Sequence, residues 1–161
     1  MTEREYNTCV HAYADGVYRF IIKNLRHEED AKDVVQSAFE KLWVNRDKVD
    51  NATCKSYLFT VAYNKMIDHL RKHKRVELKD DFSNDTRTVQ QQIPQLKKTL
   101  QDALNKLNDI QRSLVMLKDY EGYSYEEIGK IMELSESQVK VYLHRARVIL
   151  KNYLVSPENV V

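Results

Sequence analysis

The chain reads as an all-α protein of two small helical domains joined by a flexible linker, the second carrying a helix-turn-helix. Three observations predict this. Only 3 Gly and 2 Pro occur in 161 residues, too few for the turns of a β-rich fold. Apolar residues recur at helical spacing over residues 1–75 and again over 95–154, and the polar stretch between them loses that period. Near the C-terminus, Ser124 has Glu127 three residues on and Ser135 has Gln138 three on, two capping-box patterns that each open a short helix.

The first helix runs from Arg4 to Asn24, with an apolar stripe of Tyr6, Val10, Tyr13, Val17, Phe20 and Ile21. The acids of HEED, residues 27–30, favour the start of the next helix, where the macrodipole attracts negative charge. There Ala31, Val34, Val35, Ala38, Phe39, Leu42 and Trp43 form a continuous stripe and are assigned to the core. Asp33, Gln36, Ser37 and Glu40 make the opposite, polar face. Val44–Thr53 is a polar loop. A third helix spans Lys55–Arg75, with Leu58, Val61, Ala62, Ile67 and Leu70 near one face. Tyr57, Phe59, Tyr63 and Met66 crowd around it, more aromatics than one buried stripe needs. The helix ends HLRKHKR, basic and acid-free, which partly suits a helix C-terminus. Rings beside a basic run also suit single-stranded nucleic acid, whose bases stack while cations follow the phosphates.

Residues 76–94 read as a linker with acids in excess, and Pro94 suits the first turn of the following helix. The last two helices span Tyr125–Met132 and Glu136–Tyr153. The final one has no acid from Gln138 to Lys151, while Lys140, Arg145, Arg147 and Lys151 are basic and His144 lies among them. A helix-turn-helix lays such a helix in the DNA major groove, N-terminal end toward the bases and cations on phosphates.

Net charge is only +2, so local basic patches matter and the whole-chain field is weak. Cys9 and Cys54 lack metal or redox spacing and read as reduced core thiols, which fits a cytoplasmic protein. No apolar run is long enough to cross a membrane, and residues 1–8 lack signal-peptide character. His69 and His73 stand at i, i+4, but Leu70 follows His69 where a metalloprotease motif has Glu, and no third ligand is evident. No metal, cofactor or catalytic residue is expected. A helical sensor joined to a helix-turn-helix would explain the C-terminal part but leave residues 30–75 without a purpose.

Taken together, these segments resemble the extracytoplasmic-function (ECF) alternative sigma factors of bacterial RNA polymerase. DAKDVVQSAFEKLW, residues 30–43, resembles the family's polymerase-clamp helix. YLFTVAYNKMIDHLRKHKR, residues 57–75, resembles its −10 melting helix, and residues 107–150 its −35 domain. The resemblance implies domains over 1–75 and 95–161, with residues 76–94 between them. It implies core RNA polymerase and promoter DNA, duplex and single-stranded, as partners, and permits an anti-sigma factor at the membrane.

By position, the resemblance places Asp33, Gln36, Ser37 and Glu40 on the polymerase. It places Lys55, Tyr57, Phe59, Tyr63, Asn64 and Asp68 on the opened −10 element, with Arg71, Lys72 and Lys74 on its backbone. The Val44–Thr53 loop would capture a flipped base. Ser137, Gln138, Lys140, Val141 and His144 would face the −35 groove, and Arg145, Arg147 and Lys151 its phosphates. Three positions depart from the family. Asn108 stands where a Pro is usual, which should soften a helix start. Glu133 stands where a corner Gly is common, at about 1 kcal/mol or more if φ is positive. Gly129 stands where Ala is preferred, and a small residue there lets two helices approach.

Overall fold

The computed structural model describes residues 1–79 and 95–155, with side chains over 1–73 and 97–155. Among these residues it is helical, with no strand. Helix α1 spans Glu3–Leu25, α2 Glu28–Val44 and α3 Cys54–Lys79. A 3₁₀ turn, Arg46–Lys48, lies in the loop between α2 and α3. Then follow α4 Gln95–Asn105, α5 Asp109–Val115, a π turn Met116–Tyr120, α6 Tyr125–Met132 and α7 Glu136–Leu154. Helix α3 therefore runs a turn past the expected Arg75. The rest of the expected linker, residues 80–94 with Pro94, lies outside the described residues.

In the N-terminal unit, α1, α2 and α3 pack pairwise. Thr2 caps α1 by accepting from the Glu5 amide at 3.1 Å, and the His27 ring caps α2 by accepting from the Asp30 amide at 3.3 Å. The acids expected near the start of α2, Glu28, Glu29 and Asp30, fill its first turn. Val17, Phe20, Ile21, Ala31, Val34, Ala38, Leu42, Leu58, Ala62 and Met66 form the core. Trp43 is not core. It is 37 % exposed, edge-on to Tyr6 and under the Arg46 guanidinium at 3.9 Å. The stripe on α2 is wider than the surface that α1 and α3 cover, so its flank reaches solvent. Cys9 and Cys54 are buried, and burial first, then the adjacent Cys54 thiol, pushes Cys9 up to about 12. A thiol so held stays protonated and unreactive at neutral pH.

In the C-terminal unit α7 is the central rod, with α4, α5 and α6 packed on it. Both Ser capping boxes form, Ser124 with Glu127 and Ser135 with Gln138. The start of α5 is not softened by the missing Pro. Asn108 accepts from the Gln111 amide at 2.8 Å, and Gln111 accepts from the Asn108 amide at 3.1 Å, a third reciprocal box. Glu133 does adopt the left-handed conformation, φ 57° and ψ 49°. This turns the Leu134 carbonyl onto α6, where a Cβ at Gly129 would lie 2.7 Å from that oxygen. Gly129 is thus required by the corner that Glu133 makes.

The two units are packed on one another. Helix α3 lies against α6 and α1 against α5, and one apolar cluster runs through both units. Phe59 joins them. It is fully buried between Phe20 of its own unit, 5.9 Å away, and Tyr123 of the other, 5.0 Å away and edge-on.

Candidate nucleic-acid interface

The cleanest surface is the outer face of α7. Val139, Leu143 and Ala146 are buried and fix the helix to its unit. Helical spacing then turns Ser137, Gln138, Lys140, Val141, His144, Arg145, Arg147 and Lys151 outward, and all eight are exposed. The Ser135 box caps the helix at its N-terminal end, tying the Ser135 and Gln138 amides. Gln138 is committed through Oε1 to the Ser135 amide at 2.9 Å. Lys140 pairs with Glu136 at 3.6 Å, and Lys118 and Lys140 stand 4.4 Å and 5.4 Å from the Tyr125 ring. Arg145 sits at 6.0 Å from the Tyr142 ring. Arg147 is different from its neighbours. Its Nε and a terminal nitrogen both donate to the Asp119 carboxylate, which raises the guanidinium above its ordinary value.

The polar face of α2 is also open. Asp33, Gln36 and Glu40 are exposed and Ser37 is half-buried, and Gln36 donates to Glu40 at 3.0 Å. None of these side chains is part of the core, so they are available to a partner.

The α3 residues are divided. Asn64, Asp68, Arg71 and Lys72 are exposed, and the Lys74 side chain lies outside the described residues. Phe59 and Tyr63 are 0 % and 8 % exposed, so in this conformation neither ring offers a face to a base. Burial raises Tyr63 above the usual phenol range. Lys55 is held by Glu127 at 3.3 Å, with the Tyr123 ring 3.9 Å below its ammonium. The aromatic excess of this helix is explained by packing on two sides, its own unit and the other.

A cleft of about 540 Å³ opens between the end of α2, the loop and the start of α3. Lys41, Asn45, Lys48, Val49, Thr53, Ser56, Tyr57 and Thr60 line it. The loop is internally tied. Asp50 Oδ1 accepts from both the amide and the hydroxyl of Thr53 at 2.9 Å, which holds the carboxyl below its ordinary range. Asn45 donates to the Tyr57 hydroxyl at 3.1 Å, setting the ring on the cleft wall. Tyr57 was expected here. Lys41, Asn45, Lys48, Ser56 and Thr60 were not singled out, though a polar loop between two helices was the available signal.

His69 and His73 stack with ring centroids 6.4 Å apart, and His69 Nε2 reaches Asp30 at 3.1 Å. Among the described residues no group of three or more His, Cys, Asp or Glu is arranged to hold a metal.

Family models match both units in chain order. Residues 9–76 match sigma-70 region 2, and residues 97–150 match sigma-70 region 4. The chain is 32% identical over 145 residues to the ECF RNA polymerase sigma factor SigM of Bacillus subtilis, covering 86% of this chain and 88% of that one. It is 30% identical to the ECF RNA polymerase sigma factor SigW of the same organism, over 90% of this chain and 86% of that one. In fold it is similar to the sigma factor RpoE of Bartonella quintana, solved with the anti-sigma factor NepR. That likeness has TM-score 0.79 at 24% identity, over 96% of this chain and 99% of that one. CnrH, solved with the cytosolic domain of CnrY, gives TM-score 0.71 at 24% identity over 95% and 89%.

Proposed function

This chain belongs to the ECF sigma factors of RNA polymerase, within the sigma-70 family, and we propose how its side chains divide the work of promoter recognition. A sigma factor joins core polymerase and directs initiation to particular promoters. The observation that carries the division is the eight-residue outer face of α7, wholly exposed on a helix whose inner face is core.

In this reading residues 1–75 and 95–161 are the two working domains. Asp33, Gln36, Ser37 and Glu40 dock on core polymerase. Ser137, Gln138, Lys140, Val141 and His144 read base edges of the −35 duplex, and Arg145, Arg147 and Lys151 hold its phosphates. The cleft beside the loop receives one unstacked −10 base, with Tyr57 as the stacking wall and Lys41 and Lys48 beside the backbone. Such a stack is worth about 1–3 kcal/mol, comparable to the cost of unstacking one base. Arg71, Lys72 and Lys74 follow the separated strand. Two modest recognitions on one polymerase then add as an avidity. The role needs no catalytic residue of the chain's own, and it is cytoplasmic. Among the described residues no helix is long and apolar enough to cross a membrane. An anti-sigma factor is a further proposed partner, since the sigma factor RpoE, of similar fold, is solved with one.

The test is transcription in vitro. The purified chain and core polymerase, given sheared genomic DNA, should initiate at discrete start sites that share −35 and −10 elements. Absence of new start sites over core polymerase alone would overturn the reading.

A further inference from the structure

The two cysteines, far apart in sequence, meet in the fold. Cys9 lies on the inner side of α1, and Cys54 is the first residue of α3. They are 3 % and 2 % exposed, and the Cys9 thiol is hydrogen-bonded to that of Cys54. One buried cysteine is an ordinary small apolar side chain. Two in contact are chemically different, because a dithiol can lose two hydrogens and close with little movement of the backbone.

A second feature, independent of that contact, ties the pair to the loop between α2 and α3. The Cys54 thiol donates to the Asn51 carbonyl at 3.5 Å. The residues on either side of Cys54 in that region, Val49, Thr53 and Ser56, line the cleft of about 540 Å³. The sulfur thus holds the loop from beneath while its chain neighbours form the cleft wall. A disulfide has no S–H. Closing it takes the donor from the Asn51 carbonyl and draws the start of α3 toward Cys9.

We infer that Cys9 and Cys54 are a reversible oxidation site, closed to a disulfide by hydrogen peroxide and reopened by thiols, and that closure disengages the Val44–Thr53 loop. The effect on promoter opening rests on the reading of this cleft as the seat of an unstacked base, whereas the disulfide itself does not. Cys54 reacts first. It stands beside the cleft that admits a small oxidant, at the helix end that favours negative charge. Its sulfur attacks one peroxide oxygen, the O–O bond breaks, and hydroxide leaves as water with the thiol proton, giving a sulfenic acid. The Cys9 sulfur then attacks the sulfenyl sulfur. The S–S bond forms, the S–O bond breaks, and hydroxide leaves as water with the Cys9 proton. In sum, two thiols and one peroxide give one disulfide and two waters, with two electrons passing from sulfur to oxygen. Cys9 alone is inert to oxidant, but held against the sulfenyl sulfur it reacts by proximity. In a reducing cytoplasm such a pair stays open until oxidant rises.

The experiment uses the full chain, whose only 2 cysteines are these. Reduced protein is treated with hydrogen peroxide and freed of it. Peptides are mapped by mass spectrometry without reduction, and the chain is joined to untreated core polymerase for transcription in vitro. The wild type should show a Cys9–Cys54 link within one chain and give about tenfold less transcript, as for the loss of one buried hydrogen bond. Dithiothreitol, applied to the chain before assembly, should restore both states. It reverses neither methionine oxidation nor over-oxidised cysteine, so recovery assigns the effect to the disulfide. Cys9→Ala should transcribe equally before and after peroxide. Where that variant weakens the fold, the dithiothreitol recovery of the wild type carries the test. Two unlinked cysteines after treatment, a link between chains, or an equal loss of transcript in Cys9→Ala overturns the inference. Tyr57→Ala, which strips the cleft wall, separates the layers. If it lowers transcript while the linked wild type does not, the cleft stands and the coupling to the disulfide falls. If neither lowers transcript, the cleft reading falls and the coupling falls with it.

Discussion

Helices α3 and α7 both carry an apolar face and a second face of rings and cations, yet they end in opposite conditions. In α7 the second face is uncovered along its length, from Ser137 to Lys151. In α3 the corresponding Lys55, Phe59 and Tyr63 are covered, while only the far end at Asn64, Asp68, Arg71 and Lys72 is open. The cause lies in what each helix touches. Helix α7 is packed by α4, α5 and α6 on its inner side, and α3 is packed by α1 and α2 on one side and α6 on another. A helix that serves as a joint has two buried faces, and its amphipathic pattern describes only one of them.

The largest expected effect tests the covered side. Phe59→Ala removes a ring with no exposed surface and should cost about 3–5 kcal/mol in urea unfolding. His144→Ala on the open side should stay within about 0.5 kcal/mol. Similar costs for the two would end the contrast between the helices.

Next in size is the open side's own work. Lys140→Ala should cost about 1–3 kcal/mol on the best −35 duplex and less on poor ones, if the proposed docking of α7 holds. Arg147→Ala should weaken all duplexes alike and lower the salt slope by about one unit. Titrations of the full chain on core polymerase with −35 variants at several salt concentrations read both. The Asp119 pair orients Arg147 and also competes with a phosphate for it, so Asp119→Asn tells which effect is larger.

A smaller effect sharpens the comparison at the corners. Each unit holds one non-glycine residue with positive φ among the described residues, Arg26 and Glu133. Glu133→Gly should stabilise the chain by about 1 kcal/mol, read as a raised thermal midpoint. A lowered midpoint would mean that the Glu133 side chain itself contributes.

The smallest stability effect concerns α2. Glu40→Lys should move unfolding by less than about 0.5 kcal/mol, since the residue is exposed. Its affinity for core polymerase should fall clearly, and an unchanged affinity removes Glu40 from the docking face.

Much of this fold was legible because capping and periodicity are local. Ser124–Glu127 and Ser135–Gln138 place α6 and α7 to within a residue, and the α7 face follows from spacing alone. The Asn108–Gln111 box is equally local, since Asn accepts the N3 amide as Ser does and caps α5 without a proline. Trp43 lies on the stripe but outside the core, because periodicity gives the direction of a stripe and not how much of it a neighbour covers. The packing of one unit on the other left almost no local trace. Tyr123 and Glu121 lie in a short connection without a period, and Phe59 and Tyr63 showed only as a surplus of rings.

The π turn at Met116–Tyr120 has a bearing on that surplus. The Glu121 amide bonds back to Met116, one residue farther than in a regular α-helix, and the Tyr123 amide bonds back to Leu117. One added residue in an α-helix turns everything after it by about 100°. The turn acts as a phase shift between α5, which is fixed on α7, and the segment that meets Arg19 and Lys55. Deleting Lys118 would restore an even winding, keep α5 in its seat, and swing Glu121 and Tyr123 away from the N-terminal unit. Whether this chain closes on itself is in this sense a matter of counting residues, set by one place in the winding.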